Sequence, residues 1–250
     1  MTKPHGIEHF SKFFKEFSEY YTIIGGSAAS ILLENQGLDF RNTVDIDVVL
    51  LINSSIEFNQ KLNNYLLEGK YQTKEATEGS PKYYRFSSPQ KEEFPKVIEF
   101  FAHNEKNGEL FKGQYIIPIQ NDSLARISAI LLDEDYFRII RDCATKSSEG
   151  FCVLNPIGII CLKGKAFREL RERKEDSRKI NKHRSDILKL TQLLKPEDRY
   201  PILDVPRKDM EQLLERISLD LNDREIKQIT QGVFSSKEEI VKILKRTFEI

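Results

Sequence analysis

Asp45 and Asp47 are the residues of this sequence best suited to chemistry. They flank Ile46 at the head of the run Val44 to Ile52, and in a strand residues two apart lie on one face, about 6.6 Å apart along the chain. Two carboxylates so placed can hold Mg²⁺ or Mn²⁺, hard cations that take oxygen ligands and leave positions open for substrate phosphates. The residues that follow, Val48-Val49-Leu50-Leu51-Ile52, are apolar without a break, as in a strand covered on both faces. The plain alternative is an amphipathic strand whose Asp pair faces water.

A third carboxylate, Glu99, interrupts the apolar strand Lys96 to Phe101, where a charge is costly unless it is paired or meets a metal. Its alternative is an edge strand with a solvated Glu. Upstream, Tyr21 to Ile24 reads as a short strand broken by Gly25-Gly26, with Ser27 at the N-cap position of a helix over Ala28 to Leu33. A glycine pair lets an anion approach the backbone, and a helix start offers it unpaired N–H groups; the same pattern also makes an ordinary turn. In the C-terminal half, Lys163 lies in the stripe Ile159, Ala166, Phe167, Leu170, either snorkelling to solvent or reaching for an anion. Asp186 stands beside the apolar face of Ile187, Leu190 and Leu194. From Lys163 to Arg184 there are ten Lys or Arg against four acids, an excess that suits a polyanion or a solvated helix surface with internal ion pairs.

Gly25-Gly26-Ser27, Asp45-Ile46-Asp47 and Ile98-Glu99-Phe100, taken together, resemble the signature of the DNA polymerase β-like nucleotidyltransferase superfamily. The lead-in Phe40-Arg41-Asn42-Thr43-Val44 looks like the R-x-T/S-x-D-h-D form of the AbiEii-like branch, the toxin half of type IV toxin–antitoxin systems. LKGKAFRELRERK followed by NKHRSDILKL is similar to that family's later motifs, a helix lysine for NTP phosphates and a helix aspartate. The resemblance spans roughly residues 21–194. It implies that Asp45, Asp47 and Glu99 are catalytic and hold the metal, and that Gly25, Gly26, Ser27, Arg41, Lys163 and Asp186 bind the nucleotide. It further implies an NTP substrate, an RNA acceptor such as a tRNA 3′ end, and a separate antitoxin protein. Lys165 is the competing lysine, on a more exposed side of the helix. A small-molecule nucleotidyltransferase of the antibiotic-modifying kind and a degenerate RNA- or protein-binding module are the other readings.

These residues need a scaffold. Length allows one large domain or two small ones, and 39 basic residues balance 39 acidic ones, so overall charge selects no partner. Cys143, Cys152 and Cys161 have neither metal-ligand nor disulfide-framework spacing, which suits a reduced, cytoplasmic chain. No apolar stretch reaches the about 18 residues of a membrane span. Ile7, Phe10, Phe14 and Phe17 make one face of a core-packing helix, whereas His5 and His9 read as surface residues. Ser54 to Glu68 reads as helix, Lys70 to Ala76 with Lys82 to Ser87 as a hairpin about the turn 77–81, and Gln114 to Gln120 as strand. Ser123 to Cys143 reads as one or two helices, capped by Ser123 and carrying Leu124, Ile127, Ile130, Leu131 and Phe137. Strand patterns stop near Gly150 to Pro156, and Asn155-Pro156 is a helix-start signal. The fold expected is an α/β (α+β) mixed-sheet domain over 1–152, followed by a helical domain over 153–250 whose last helices are Arg207 to Ile217, Asn222 to Gly232 and Ser235 to Phe248.

Overall fold

Tyr21–Ile24 forms β1, buried at all four residues, and it ends where the glycines begin. The helix α2, Gly25–Glu34, follows at once, and the irregular segment 38–44 leads into β2, Asp45–Leu50. The computed structural model describes residues 3–51, 56–75, 81–103, 110–111, 114–119, 127–131 and 133–250. These divide into two units, Met1–Leu154 and Asn155–Ile250.

In the first unit β2 is a central strand. It pairs antiparallel with β1 on one side and parallel with β5, Val97–Ala102, on the other. Its burial follows from that position: Ile46, Val48, Val49 and Leu50 are buried, while Asp45 and Asp47, on the other face from Ile46 and Val48, are half-exposed at the head of the strand. The far side of β5 is shared. Its first half pairs antiparallel with β4, Pro81–Ser87, itself hairpinned to β3, Gln72–Glu75. Its last residues pair parallel with β8, Ile127–Leu131, which carries β7, Gln114–Ile119, and through it β6, Leu110–Phe111. On the other flank β10, Cys152–Leu154, runs parallel to β1 and antiparallel to β9, Ala144–Lys146. The result is a mixed sheet of ten strands among the described residues.

Two helices, α1 (Ile7–Phe13) and α3 (Ile56–Gly69), hold an aromatic cluster against β1. Phe10 meets Tyr21 and Tyr65 edge-on at 5.4 and 5.5 Å, and Phe14 lies 5.1 Å from Tyr65. Each fully buried ring of this kind contributes about 1.5–3 kcal/mol over its exposed state. Of the face read from Ile7, Phe10, Phe14 and Phe17, the first three are buried in the core, but α1 ends at Phe13 and Phe17 lies half-buried in a separate 3-10 turn, Lys15–Phe17. His9 departs from the surface position expected of it: its ring packs 4.3 Å from Phe94 and accepts or donates a hydrogen bond at the Tyr65 hydroxyl, 3.1 Å away. His5 is exposed.

The hairpin and the Gln114 strand form as their sequences predict. The segment 123–143 does not. Ile127–Leu131 is strand β8, and helix is confined to α4, Glu134–Cys143, capped by the Asp133 side chain accepting from Asp135 N–H. Apolar residues at i, i+3 and i+4 fit a helix face, but a short, mostly apolar run fits a strand equally, and the open edge of β5 decides between them. Ser54, the turn 76–80, Gln120, Ser123 and Leu124 lie outside the described residues.

The second unit is helical among its described residues: α5 (Pro156–Glu172), α6 (Ser177–Leu190), α7 (Asp204–Asp220), α8 (Asp223–Ile229) and α9 (Lys237–Phe248). Asn155 caps α5 by accepting from Gly158 N–H, with Pro156 at the first helical position. Asn222 and Glu225 form a capping box on α8. Helix α5 packs against both α6 and α7.

Candidate active site

The glycine turn and the Asp strand are built against one another. Ile24 pairs with Asp47, so the turn that follows β1 lies beside the Asp47 carboxylate. Gly25 has φ +69°, and a Cβ there would stand 3.0 Å from Asp47 Cγ and closer still to its Oδ2. Only glycine fits both conditions. A Cβ on Gly26 would meet Thr43 Cγ2 at 2.9 Å and an Arg41 guanidinium nitrogen at 3.2 Å, so the Arg41-Asn42-Thr43 lead-in wraps over the second glycine.

Ser27 is not the N-cap its position suggested. Helix α2 begins at Gly25 with Ile24 as cap, since the glycine's left-handed φ lets the chain turn three residues early. The buried Ser27 hydroxyl instead donates to the Asp45 carbonyl at 2.5 Å and lies 3.5 Å from Thr43 Oγ1. It therefore ties α2 to the head of β2. Thr43, 8% exposed, is a member of this cluster that residue types alone did not single out; its place in the R-x-T-x-D lead-in was the available signal.

Glu99 is the register partner of Asp47 on the parallel strand β5, and Arg85 is the register partner of Glu99 on β4. Arg85 Nη1 donates to Glu99 Oε1, and the same nitrogen lies 3.8 Å from Asp45 Oδ2. Glu99 and Asp45 thus share one guanidinium nitrogen. Burial pulls Arg85 down, but Glu99, then Asp45 and Asp47, together hold it above the ordinary arginine range. The three carboxylates therefore converge electrostatically on one cation, and Arg85 is held in an ion pair with Glu99. In charge and donor type the trio fits a hard divalent metal. As arranged, however, no three His, Cys, Asp or Glu side chains among the described residues are grouped to hold a metal, because Arg85 already fills the corner beside Glu99.

In the second unit Lys163 and Asp186 are brought together. Lys163 Nζ donates to Asp186 Oδ2 at 2.7 Å, and the residues are 4% and 3% exposed. Snorkelling is thereby excluded for Lys163. Lys165 is more exposed and pairs with Glu169 at 3.5 Å. Much of the basic run is laced to acids: Arg168 to Glu172 and Asp209, Lys179 to Glu175, and Arg171 and Arg184 to Asp220. Arg178 is 94% exposed.

No protein-family model matches this chain, and no curated protein matches it. Among solved structures, it is similar to the solution structure of the antibiotic-resistance factor ANT(2'')-Ia, with 12% identity, a TM-score of 0.43, and coverage of 86% of this chain and 90% of that one. It is also similar to the crystal structure of the Megavirus polyadenylate synthase, with 10% identity, a TM-score of 0.38, and coverage of 88% and 44%. Among the described residues no helix is long and apolar enough to cross a membrane.

Proposed function

We propose that this chain is a metal-dependent nucleotidyltransferase that moves a nucleotide from an NTP onto an RNA hydroxyl. The observation that carries this reading is the meeting of the glycine turn, Asp45, Asp47 and Glu99 at one place on the sheet. A phosphate at that turn would lie beside the Asp47 carboxylate, an arrangement of like charges that calls for a cation between them.

Asp45 and Asp47 would hold that cation, with Glu99 joining once Arg85 has moved aside. When bound, it would neutralise the triphosphate and stabilise the charge that develops on departing pyrophosphate. The chain's own groups supply the rest. The glycine turn lets the phosphates approach the backbone, with the Arg41 guanidinium beside it to counter their charge. Glu99, freed from Arg85, takes the proton of the acceptor hydroxyl as its oxygen bonds the α-phosphorus and the bond to pyrophosphate breaks. Lys163, with Asp186 orienting it, is the nucleotide-binding lysine of this reading. RNA as acceptor is supported by the cationic excess of residues 163–184. The AbiEii-like motif order supports a toxin restrained by a separate antitoxin.

The test is incorporation of label from α-phosphate-labelled NTPs into total RNA. Asp47→Asn keeps the shape and removes the charge, and is expected to lower incorporation by about 100-fold or more, the scale of losing one preorganised charge-stabilising group. Transfer at the unsubstituted rate would overturn the mechanism. Label appearing on a small-molecule antibiotic and not on RNA would transfer the assignment to a small-molecule acceptor.

A further inference from the structure

Three arginines from three helices of the second unit surround one carboxylate. Arg216 grips Asp220 with two hydrogen bonds, Nε to Oδ2 at 3.1 Å and Nη2 to Oδ1 at 2.5 Å. Arg171 Nη1 and Arg184 Nη1 also turn to Oδ2, at 3.4 and 3.5 Å. One oxygen thus serves three guanidiniums, and two of its bonds are at the long limit of a hydrogen bond. Arg184 also donates to Asn181 Oδ1 at 3.0 Å, while its buried Nε has no hydrogen-bond partner among the described residues.

The charge is unbalanced as well. Glu225 is the other acid whose field acts on Arg184, and its carboxylate is engaged at the α8 capping box, accepting from Asn222 N–H at 2.9 Å. Burial draws Arg184 below the ordinary arginine range, against the pull of Asp220, and the fields of Arg171 and Arg216 draw it down further. The guanidinium stays charged at neutral pH. Against Asp220 and Glu225 the three guanidiniums still carry one positive charge in excess. The cluster is accessible and pre-set: Arg171 and Arg216 are 38% and 32% exposed, and the Arg171 guanidinium lies 5.6 Å over the buried Phe167 ring.

We propose that Arg171, Arg184 and Arg216 form a phosphate-binding site for the backbone of single-stranded RNA, with Asp220 as the internal anion that a phosphodiester supplements. Guanidinium forks match phosphate oxygens two at a time, and three of them converge here. Choosing RNA as the source of the phosphate rests on the reading of the acceptor given above; the convergence of the arginines does not.

The test is binding of a fluorescent single-stranded RNA by the whole chain without NTP or metal, followed by anisotropy across a salt series. Arg171→Ala with Arg216→Ala is expected to weaken binding at least tenfold and to flatten the log–log salt slope by about 0.7 for each phosphate no longer neutralised. Asp220→Asn removes the competing anion and is expected to tighten binding severalfold, a gain that misfolding cannot produce. Unchanged binding in the double variant, or weaker binding in Asp220→Asn, overturns the site. Inorganic phosphate that displaces the RNA at millimolar concentration would assign the site to free phosphate instead and overturn the RNA assignment. The binding assay uses neither NTP nor metal, so failure of the transfer reading and failure of this site give different results.

Discussion

Gly25→Ala is expected to silence nucleotidyl transfer while costing only a modest part of the stability. The modest part is conformational: a residue with a Cβ held at φ +69° costs about 1–2 kcal/mol relative to glycine. The larger effect is local. The added methyl carbon would overlap Asp47 Oδ2, so either the carboxylate swings away or the turn opens. Both separate the phosphate-approach surface from the carboxylate beside it, and a displacement of about 1 Å at a reacting centre can cost 100-fold in rate. Gly26→Ala provides the contrast. Its φ is not in the left-handed region, and its methyl would press on Thr43 Cγ2 at 2.9 Å and the Arg41 guanidinium at 3.2 Å. It should leave Asp47 in place and act chiefly on the affinity for NTP. Urea unfolding with the labelled-NTP assay separates these effects. A Gly25→Ala enzyme with full activity would show that the turn does not place Asp47.

What the residues disclosed in advance follows the range of the interactions involved. The alternation in Asp45-Ile46-Asp47 and the unbroken Val48-Val49-Leu50 predict a strand half-open at its head and buried at its end, as β2 is. Asn155-Pro156 marks the start of α5 because the cap and the proline act within three residues. Ser27 was misplaced by the same local logic. Its hydroxyl has a cap's position in the sequence but finds the Asp45 carbonyl, 18 residues on, a partner that only the β1–β2 pairing supplies. Ile127–Leu131 became strand because β5 had an unfilled edge, and nothing in those five residues records that edge. Thr43 and Arg85 show the two limits of reading chemistry from a chain. Thr43 was visible within a motif, but its packing on Gly26 was not. Arg85 is one arginine within a strand, and its choice of Glu99 and Asp45 depends on a register between β4 and β5. The arginines around Asp220 were the least legible, because Arg216 and Asp220 are a common i, i+4 pair until α5 and α6 bring Arg171 and Arg184 to them.

Lys163→Met is expected to lower stability by about 3–5 kcal/mol, the usual cost of stranding one member of a buried ion pair. Asp186, 3% exposed, would keep a buried carboxylate that has lost the ammonium at 2.7 Å. For a chain of this size each kcal/mol shifts Tm by about 2–4 °C, so a fall on the order of 10 °C should be seen in a thermal melt. This fall alone cannot say whether the lysine binds nucleotide. The double variant Lys163→Met with Asp186→Leu can. Replacing both charges with apolar groups of similar volume is commonly neutral or stabilising, so most of the stability should return. Nucleotide affinity should not return with it if Lys163 serves the triphosphate, and a calorimetric titration with NTP is expected to remain at least tenfold weaker than for the unsubstituted chain. Lys165→Ala, removing a partly exposed lysine paired with Glu169, should change neither stability nor affinity by comparable amounts. A double variant that regains both stability and nucleotide binding would show that the buried pair is a brace between α5 and α6 and leave the triphosphate to the glycine turn and Arg41.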